Sequence, residues 1–337
     1  MKAIVYDRYG SPDVLELKEI DKPSANDDEL LVRVRAASVN PYDWHFMTGL
    51  PHLARMQLGL LKPKTRGLGA DVAGEVESVG ENVTQFRPGD EVFAGVEAGA
   101  FAEYVCVSND SVMLKPANLT FEQAAAVPMA ALTAMQGLRG QGRIEPGHKV
   151  LINGASGGVG TFAVQIAKSL GAEVTAVCST RNVDLVRSIG ADHVIDYTSE
   201  DFTRGERRYD LILDNVGNRS PSECRRVLNR KGTYLASFGR PENRWLGPMG
   251  QLLRMALLSP FVGQKLAPLS SKKRSMEDRL VLRELLEAGK VTSVIDRTYP
   301  LSEVAEAMRY LEKGHARGKV VITVGRQETT TEQSETV

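Results

Sequence analysis

The length, composition and charge of the chain exclude several classes of protein. Its 337 residues are enough for about two domains of average size and too many for a small binding module. The content of 42% hydrophobic and 25% charged residues is typical of a globular protein rather than a disordered chain. Lysine and arginine total 42, and aspartate and glutamate also total 42, so the net charge is zero. We therefore expect no nucleic-acid partner, although a neutral chain can still carry a local basic patch.

The cysteines and the N-terminus favour a reducing compartment. Cys106, Cys178 and Cys224 are odd in number and lie far apart, which argues against a disulfide scaffold. The opening stretch MKAIVYDRYG places charged Asp7 and Arg8 where an export signal needs an apolar run. We therefore expect a cytoplasmic protein.

The first 120 residues are predicted to be rich in β-strands, because short apolar runs are closed by turn signals at close intervals. Gly74 and Gly80 are expected at bends where a side chain would collide. This pattern predicts a β-barrel or a β-sandwich. The clearest runs are ELLVRVRAASV, VAGEVESVG, EVFAGV and FAEYVCV.

The pattern changes near residue 120. Residues 119–138 are rich in Ala, Leu and Met at helical spacing. From residue 148, short β-like runs alternate with helix-like stretches that end at Gly171 and Gly190, which predicts a parallel, doubly wound sheet. An amphipathic helix, SMEDRLVLRELLEAGK, and two β-like runs follow, and the tail after residue 325 is expected to be disordered.

Two stretches with few charges raise the question of membrane insertion. Residues 123–138 contain Pro128 and are shorter than the roughly 20 residues that span a bilayer. Residues 245–264 are interrupted by Arg254 and have an amphipathic pattern. The sequence thus predicts no transmembrane segment. It leaves open whether residues 245–264 serve internal packing, a dimer contact, a peripheral membrane contact or substrate binding.

The sharpest signal is the glycine-rich turn NGASGGVG at residues 153–160. It follows an apolar strand and begins a helix, and Ala155, Gly157 and Gly160 take the positions of a G-x-G-x-x-G pattern. Small residues let the backbone approach a pyrophosphate, and the helix N-terminus supplies N–H donors. The turn predicts a dinucleotide site, with a tight turn that binds no ligand as the alternative. The residues predicted to bind the dinucleotide in this turn are Ala155, Ser156, Gly157, Gly158, Val159 and Gly160.

The residues directly after the next β-like run, residues 172–178, indicate which dinucleotide the site binds. An NAD site commonly places Asp or Glu there to bind the ribose 2′-hydroxyl, whereas this chain has Ser179, Thr180 and Arg181. Hydroxyls and a guanidinium suit a 2′-phosphate, which a carboxylate would repel. The sequence therefore predicts NADP, bound as NADPH, with a solvated Arg181 at a helix start as the alternative.

Five motifs in chain order extend the pattern over residues 1–325: SVNPYDW (38–44), GADVAGEVESVGENVTQFRPGDEVFA (69–94), NGASGGVG, GADHVIDY (190–197) and RGKVVITV (317–324). With them the chain resembles the zinc-free quinone oxidoreductase branch of the medium-chain dehydrogenase/reductase superfamily. The resemblance implies an α/β protein with a GroES-like β-barrel catalytic domain and a doubly wound Rossmann domain, forming a homodimer. The implied bounds are 1–122 for the catalytic domain, 123–271 for the Rossmann NADP-binding domain and 272–325 for the return to the catalytic domain, with the tail at 326–337.

The same resemblance assigns further residues of the cofactor cleft. Tyr197 is implied to contact the 2′-phosphate. For Lys319 the alternative is an exposed charge at a strand end. The remaining cleft residues implied by the resemblance are Thr133, Asn215, Phe238, Gly239, Arg317 and Lys319.

The resemblance also indicates whether the chain has a zinc site. The zinc enzymes of the superfamily carry Cys where this chain has Asn40, and Gly-His-Glu where it has Gly69, Ala70 and Asp71. A structural zinc lobe needs four clustered cysteines, and the chain has 3. We therefore expect no metal site.

Without a metal, the implied chemistry is hydride transfer from NADPH to a quinone or to a carbon conjugated with a carbonyl. Segment 40–45 offers an amide, a phenol, an indole N–H and an imidazole to the negative charge that develops on the substrate oxygen. Asn40, Asp43 and His45 are the predicted catalytic residues, with Asp43 expected to hold backbone or ribose because like charges repel. His45 and Met47 depart from a Tyr and an Arg that are common in the family.

Two questions stay open at this stage. His45 either donates a proton to the substrate or fills the wall of the pocket. The function that competes with a quinone or enone reductase is an NADPH-binding sensor or structural protein with little turnover, because a phosphate cradle is compatible with both.

Overall fold

The computed structural model describes residues 1–237, 245, 249–269 and 276–325. The strands are β1 Lys2–Val5, β2 Glu16–Glu19, β3 Glu29–Val39, β4 Asp71–Val79, β5 Glu91–Gly95, β6 Tyr104–Ser108, β7 Val112–Leu114, β8 Lys149–Asn153, β9 Glu173–Cys178, β10 His193–Asp196, β11 Tyr209–Asp214, β12 Leu228–Ala236, β13 Lys265–Pro268, β14 Ile295–Pro300 and β15 Lys319–Thr323. The α-helices are α1 Pro41–Thr48, α2 Arg55–Leu58, α3 Phe121–Ala125, α4 Pro128–Met135, α5 Gly158–Ser169, α6 Val183–Ser188, α7 Pro221–Arg225, α8 Met249–Leu258, α9 Met276–Glu287 and α10 Val304–Glu312.

Strands β1 and β2 pair with each other, whereas β3 to β7 and the two last strands form one sheet, in the order β14-β15-β3-β4-β5-β7 with β6 also paired to β3. Its pairings are antiparallel except for the parallel pair β14–β15. A Cβ atom on Gly74 would lie 2.1 Å from the carbonyl oxygen of Arg33, and one on Gly80 would lie 2.1 Å from that of Asn26. The β-rich N-terminal unit and both glycine positions are thus as predicted, and the chain returns to this sheet at its C-terminal end.

The second sheet has the order β10-β9-β8-β11-β12-β13 and is parallel throughout. Its central strands are buried on both faces, as a parallel sheet covered by helices requires. Helix α5 follows β8 directly and buries Phe162, Val164 and Ile166. The predicted doubly wound sheet is confirmed.

Helices α3 and α4 lie where the two sheets meet. The sequence predicted one helical stretch over 119–138, but it is divided between Ala125 and Pro128, because proline has no N–H to donate to the carbonyl group four residues before it. A single apolar cluster joins Ala36 and Phe93 of the first sheet to Val150 of the second through the alanines of these helices. The two sheets therefore share a core, and a cleft lies beside it.

Three expectations are not tested by this fold. Phe238, Gly239 and the tail at 326–337 lie outside the described residues. The exact domain bounds stay a prediction. No helix in the described ranges combines the length and apolar character needed to cross a bilayer, and the cytoplasmic location also stays a prediction.

Candidate active site

A cleft of about 1490 Å³ lies between the two sheets and brings most of the predicted site residues together. Those that line it are Asn40, His45, Thr133, Ser156, Gly157, Gly158, Val159, Gly160, Ser179, Arg181, Tyr197, Asn215 and Lys319. Four predicted residues, Asp43, Ala155, Thr180 and Arg317, are not among the lining residues. Arg317 is exposed, and its backbone N–H donates to Asp296 Oδ2 at 2.9 Å.

The glycine-rich turn takes the tight conformation that its sequence requires. Gly154 has φ +76°, and a Cβ on Gly160 would lie 2.1 Å from the Gly154 carbonyl oxygen. Only glycine at 160 therefore lets α5 begin so close to β8. Ala155 is fully buried and belongs to the shared core, so the small residue at this point serves packing.

The residues predicted to select NADP lie at one end of the cleft. Ser179, Arg181 and Tyr197 line it together, and Arg181 Nη2 donates to the carbonyl oxygen of His315 at 2.7 Å. The carboxylate of Asp196, directly before Tyr197, accepts from Thr180 Oγ1 at 2.6 Å. That hydrogen bond is the main cause that lowers the pKa of Asp196. Hydroxyl, phenol and guanidinium groups thus face this end of the cleft.

Asn215 leaves a buried amide group without a partner. It follows β11, and neither its Oδ1 nor its Nδ2 has a hydrogen-bond partner among the described residues. Gln136 Nε2 is likewise buried and unpaired within the described part of the chain, and both residues line the cleft. Unpaired buried polar atoms are costly, so these amides fit a polar ligand in the cleft.

A buried polar network forms the floor of the cleft. Lys319 is only 3% exposed, which excludes the exposed strand-end charge considered from the sequence. Its Nζ donates to Asn40 Oδ1 at 2.5 Å and lies 3.4 Å from Asp71 Oδ2. The Asp71 carboxylate also accepts from Ser38 Oγ at 2.8 Å and from the backbone N–H of Met129 at 2.9 Å. Burial is the main cause that lowers the pKa of the Lys319 ammonium.

Asn40 has no hydrogen-bonding atom left for a substrate. Its Nδ2 donates to the Ser38 carbonyl oxygen at 3.2 Å and to Asp71 at 3.0 Å, while its Oδ1 accepts from Lys319. The structure therefore places Asn40 as a positioning residue within the floor, rather than as the donor that the sequence suggested.

Asp43 binds backbone N–H groups, which is one of the two roles predicted for it. Its carboxylate accepts from the backbone N–H of Asn40 at 2.8 Å and from that of Gly69 at 3.2 Å, which caps α1 and ties it to the loop before β4. The side chain is buried, and burial raises its pKa to about 7. The negative charge of Asp71 raises this pKa further, whereas the Lys319 ammonium lowers it.

The imidazole of His45 has one fixed nitrogen. Its Nδ1 lies 2.7 Å from the carbonyl oxygen of Leu50, and because a carbonyl only accepts, Nδ1 carries the proton. The indole N–H of Trp44 donates to Glu312 at 2.8 Å, so it serves packing of α1 against α10 instead of the substrate oxygen. Of the other residues of segment 40–45, Tyr42 and His45 line the cleft, and His45 Nε2 carries no proton in the neutral ring.

Sequence reasoning missed the part played by Ser38 and Asp71. Both are fully buried, and both belong to adjacent strands, β3 and β4, at their directly paired ends. The one signal available was a carboxylate directly before the apolar residues Val72 and Ala73, because a buried carboxylate needs a cation or several donors.

Comparisons with known proteins show which family the chain belongs to. The chain matches the alcohol dehydrogenase GroES-like domain over residues 26–117 and the zinc-binding dehydrogenase family over residues 189–322. It is 38% identical to the mitochondrial NAD(P)H oxidoreductase RTN4IP1 of Mus musculus, over 96% of this chain and 89% of that protein. It is 35% identical to the chloroplastic NADPH-dependent alkenal/one oxidoreductase of Arabidopsis thaliana, over 96% and 79% of the two chains.

Solved structures show the same fold. The quinone oxidoreductase of Escherichia coli, in complex with NADPH, superposes with a TM-score of 0.83 at 25% identity, over 96% of this chain and 100% of that chain. Both sheets and the cleft between them are therefore shared with enzymes of known class. The chain belongs to the quinone oxidoreductase branch of the medium-chain dehydrogenase/reductase superfamily.

Proposed function

We propose that the protein is a zinc-free, NADPH-dependent reductase that transfers hydride to quinones or to the β-carbon of α,β-unsaturated carbonyl compounds. The observation that carries the proposal is the buried Lys319 ammonium between Asn40 and Asp71. The names of the relatives support an oxidoreductase that uses NADPH, and the floor of the cleft supports chemistry without a metal.

The residues at the floor do not fit a catalytic zinc ion. Zinc needs thiolate, imidazole or carboxylate ligands in a tetrahedral arrangement, whereas this floor offers a neutral amide and one carboxylate. Ala70, which supplies only a methyl group, stands where zinc relatives have a histidine. The ammonium of Lys319 already provides the positive charge that Asp71 requires. Within the described residues, no group of three or more His, Cys, Asp and Glu side chains is arranged to hold a metal.

The residues of the cleft do fit NADPH. The backbone N–H groups of Gly158 and Val159 would hold the pyrophosphate, since the first N–H groups of a helix have no partner within it. Arg181, Ser179 and Tyr197 would bind the 2′-phosphate. The unpaired amide of Asn215 and the hydroxyl of Thr133 lie in the same cleft for the rest of the dinucleotide. When bound, NADPH supplies the hydride.

The chain's own part in the reaction is to meet the charge that develops on the substrate oxygen. Neutral His45 presents an unprotonated Nε2, because its single proton is held on Nδ1 by Leu50. Only the imidazolium form therefore donates a proton from Nε2. Tyr42, which also lines the cleft, contributes a phenol group to the same wall.

The test is NADPH oxidation by protein treated with a chelator, against matched quinones, enones and simple aldehydes. We expect turnover with quinones or enones, a preference for NADPH over NADH, and no loss of rate after chelation. His45→Asn keeps a donor to Leu50 but removes Nε2, so it separates proton donation from packing. Tight NADPH binding without turnover on any acceptor would replace the proposal with the sensor or structural function.

A further inference from the structure

Two segments of this neutral chain contain basic residues and no acidic ones. Residues 44–70 include no Asp or Glu and four Lys or Arg residues: Arg55, Lys62, Lys64 and Arg66. Residues 243–275 include no Asp or Glu and six Lys or Arg residues: Arg244, Arg254, Lys265, Lys272, Lys273 and Arg274. Because acidic and basic residues are equal in number over the whole chain, this distribution concentrates positive charge in two places.

Helix α8, in the second segment, turns an apolar row away from the protein. Met249, Leu253 and Leu257 are exposed at successive helical turns, and Phe261, just after the helix, is 87% exposed. The opposite side of the helix buries Met255 against the edge of the parallel sheet. The amphipathic pattern seen in the sequence is therefore real, but its wider apolar face has no partner among the described residues.

The first segment carries a similar surface. Met56, Leu60 and Leu61 are exposed, Leu61 at 90%, and Lys62 and Lys64 beside them are exposed too. None of these five residues lines the cofactor cleft. Their exposure thus serves neither the core nor the cleft.

The two surfaces adjoin each other at Trp245. The backbone N–H of Leu53 donates to the Trp245 carbonyl oxygen at 3.3 Å, and the rings of His52 and Trp245 lie 4.8 Å apart. We call the exposed side chains of residues 53–66 and 249–265 the basic-apolar surface. It combines exposed leucines, methionines and a phenylalanine with lysines and arginines, in two segments that are linked through Trp245.

We propose that the basic-apolar surface docks the protein on the headgroup region of an anionic lipid bilayer. A helix with an apolar face and flanking Lys and Arg residues lies in the plane of such an interface, and each basic residue near it adds attraction to anionic lipid. The helices of the described residues are too short or too polar to span, so the contact is peripheral. This inference is independent of the substrate proposed above.

Charge argues against a second copy as the occupant. A two-fold dimer places the same patch of each subunit against itself, so this surface would bring Arg254 and its basic neighbours towards their own copies. No acidic residue occurs in either segment, and of the basic residues of this surface Arg66 already pairs with Asp7 at 3.1 Å. A surface of anionic lipid offers both the apolar depth and the opposite charge.

The test is flotation of the full-length protein with phosphatidylcholine vesicles, with and without phosphatidylserine. We expect binding only to the anionic vesicles and its loss at high salt. Leu253→Ser/Leu257→Ser should lower the partition coefficient about a hundredfold or more by removing the apolar area of two leucines. Arg254→Ala should lower it about fivefold. Leu280→Ser, which changes an exposed leucine on α9 outside this surface, should bind like the natural protein.

Each alternative occupant has its own outcome. Failure to float with anionic vesicles overturns the proposal, as does equal flotation of Leu253→Ser/Leu257→Ser. If the natural protein does not float and this double variant turns a dimer into a monomer, the occupant is a second copy. Binding to polyglutamate but not to vesicles would assign the surface to an acidic protein. NADPH binding by every variant checks that the fold is retained.

Discussion

Replacing Lys319 with methionine tests whether the floor of the cleft depends on its buried cation. Methionine is close to lysine in length and keeps the contact of the side-chain stem with Gly158, where an added Cβ would lie 3.0 Å from Lys319 Cδ. The change leaves Asp71, which is fully buried, without its positive partner. The matched change Asp71→Asn removes the negative charge instead.

The size of the effect follows from the geometry. At 3.4 Å, two unit charges attract with about 5 kcal/mol at an effective dielectric constant of about 20. Removing one partner of a buried pair typically costs about 3–5 kcal/mol. Asp71 keeps three donors, from Ser38, Asn40 and Met129, so we expect Lys319→Met to cost about 3 kcal/mol, the lower end of this range. In a chain of 337 residues that is a Tm lower by about 4 °C.

The assay is calorimetric unfolding of the natural protein, both single variants and the double variant. In Lys319→Met/Asp71→Asn no charge stays buried at this point, and the Asn40 amide is free to rotate and accept from the new amide. We therefore expect the double variant to be more stable than Lys319→Met, with a coupling energy of about 2 kcal/mol or more. Lys313→Met, at an exposed position, controls for the loss of a lysine. The reasoning is refuted if Lys319→Met unfolds like the natural protein, or if Asp71→Asn fails to rescue it.

Three further predictions concern the cofactor and α1. Arg181→Ala should raise the KM for NADPH about tenfold and leave that for NADH nearly unchanged, as measured by steady-state kinetics. Gly160→Ala should cost about 3 kcal/mol or more and abolish NADPH binding, because its Cβ would lie 2.1 Å from a carbonyl oxygen, whereas at Gly157 the nearest atom is 3.4 Å away and stability should change little. Asp43 has a pKa raised by burial to about 7, so its contribution to stability is complete below its usual pKa and is lost as the pH rises through 7. In Asp43→Asn, the fall of Tm between about pH 5 and about pH 8 should therefore be smaller than in the natural protein.

The sequence predicted those parts of the fold that depend on local patterns. The run ELLVRVRAASV became β3 with the same bounds, because alternating apolar residues and bounding turns act within a few residues. The glycine turn was equally clear, since Gly160 must lack a side chain wherever a helix begins so near a strand. These signals require no knowledge of distant parts of the chain.

The role of the site residues could not be predicted as well, because it depends on contacts between distant residues. Lys319 and Asp71 are separated by 248 positions, and nothing near Lys319 shows that its strand ends beside β3 and β4. Asn40 looked like a free amide in sequence, but its atoms are all used once Ser38, Asp71 and Lys319 are assembled. Sequence analysis finds which residues carry chemistry, and only packing shows which of their atoms are free.

The position of Lys319 gives a reason to bury a charge despite the cost. Its neighbour Gly318 donates its N–H to the carbonyl oxygen of Ser156 at 2.8 Å, so this strand is tied directly to the phosphate cradle. The ammonium group of Lys319 donates to Asn40, which directly precedes α1. A buried ion pair adds little to stability compared with apolar packing, but it fixes one geometry. Since hydride transfer depends on holding two reactants in register, a cation that links the cradle to the substrate wall contributes to the rate through position.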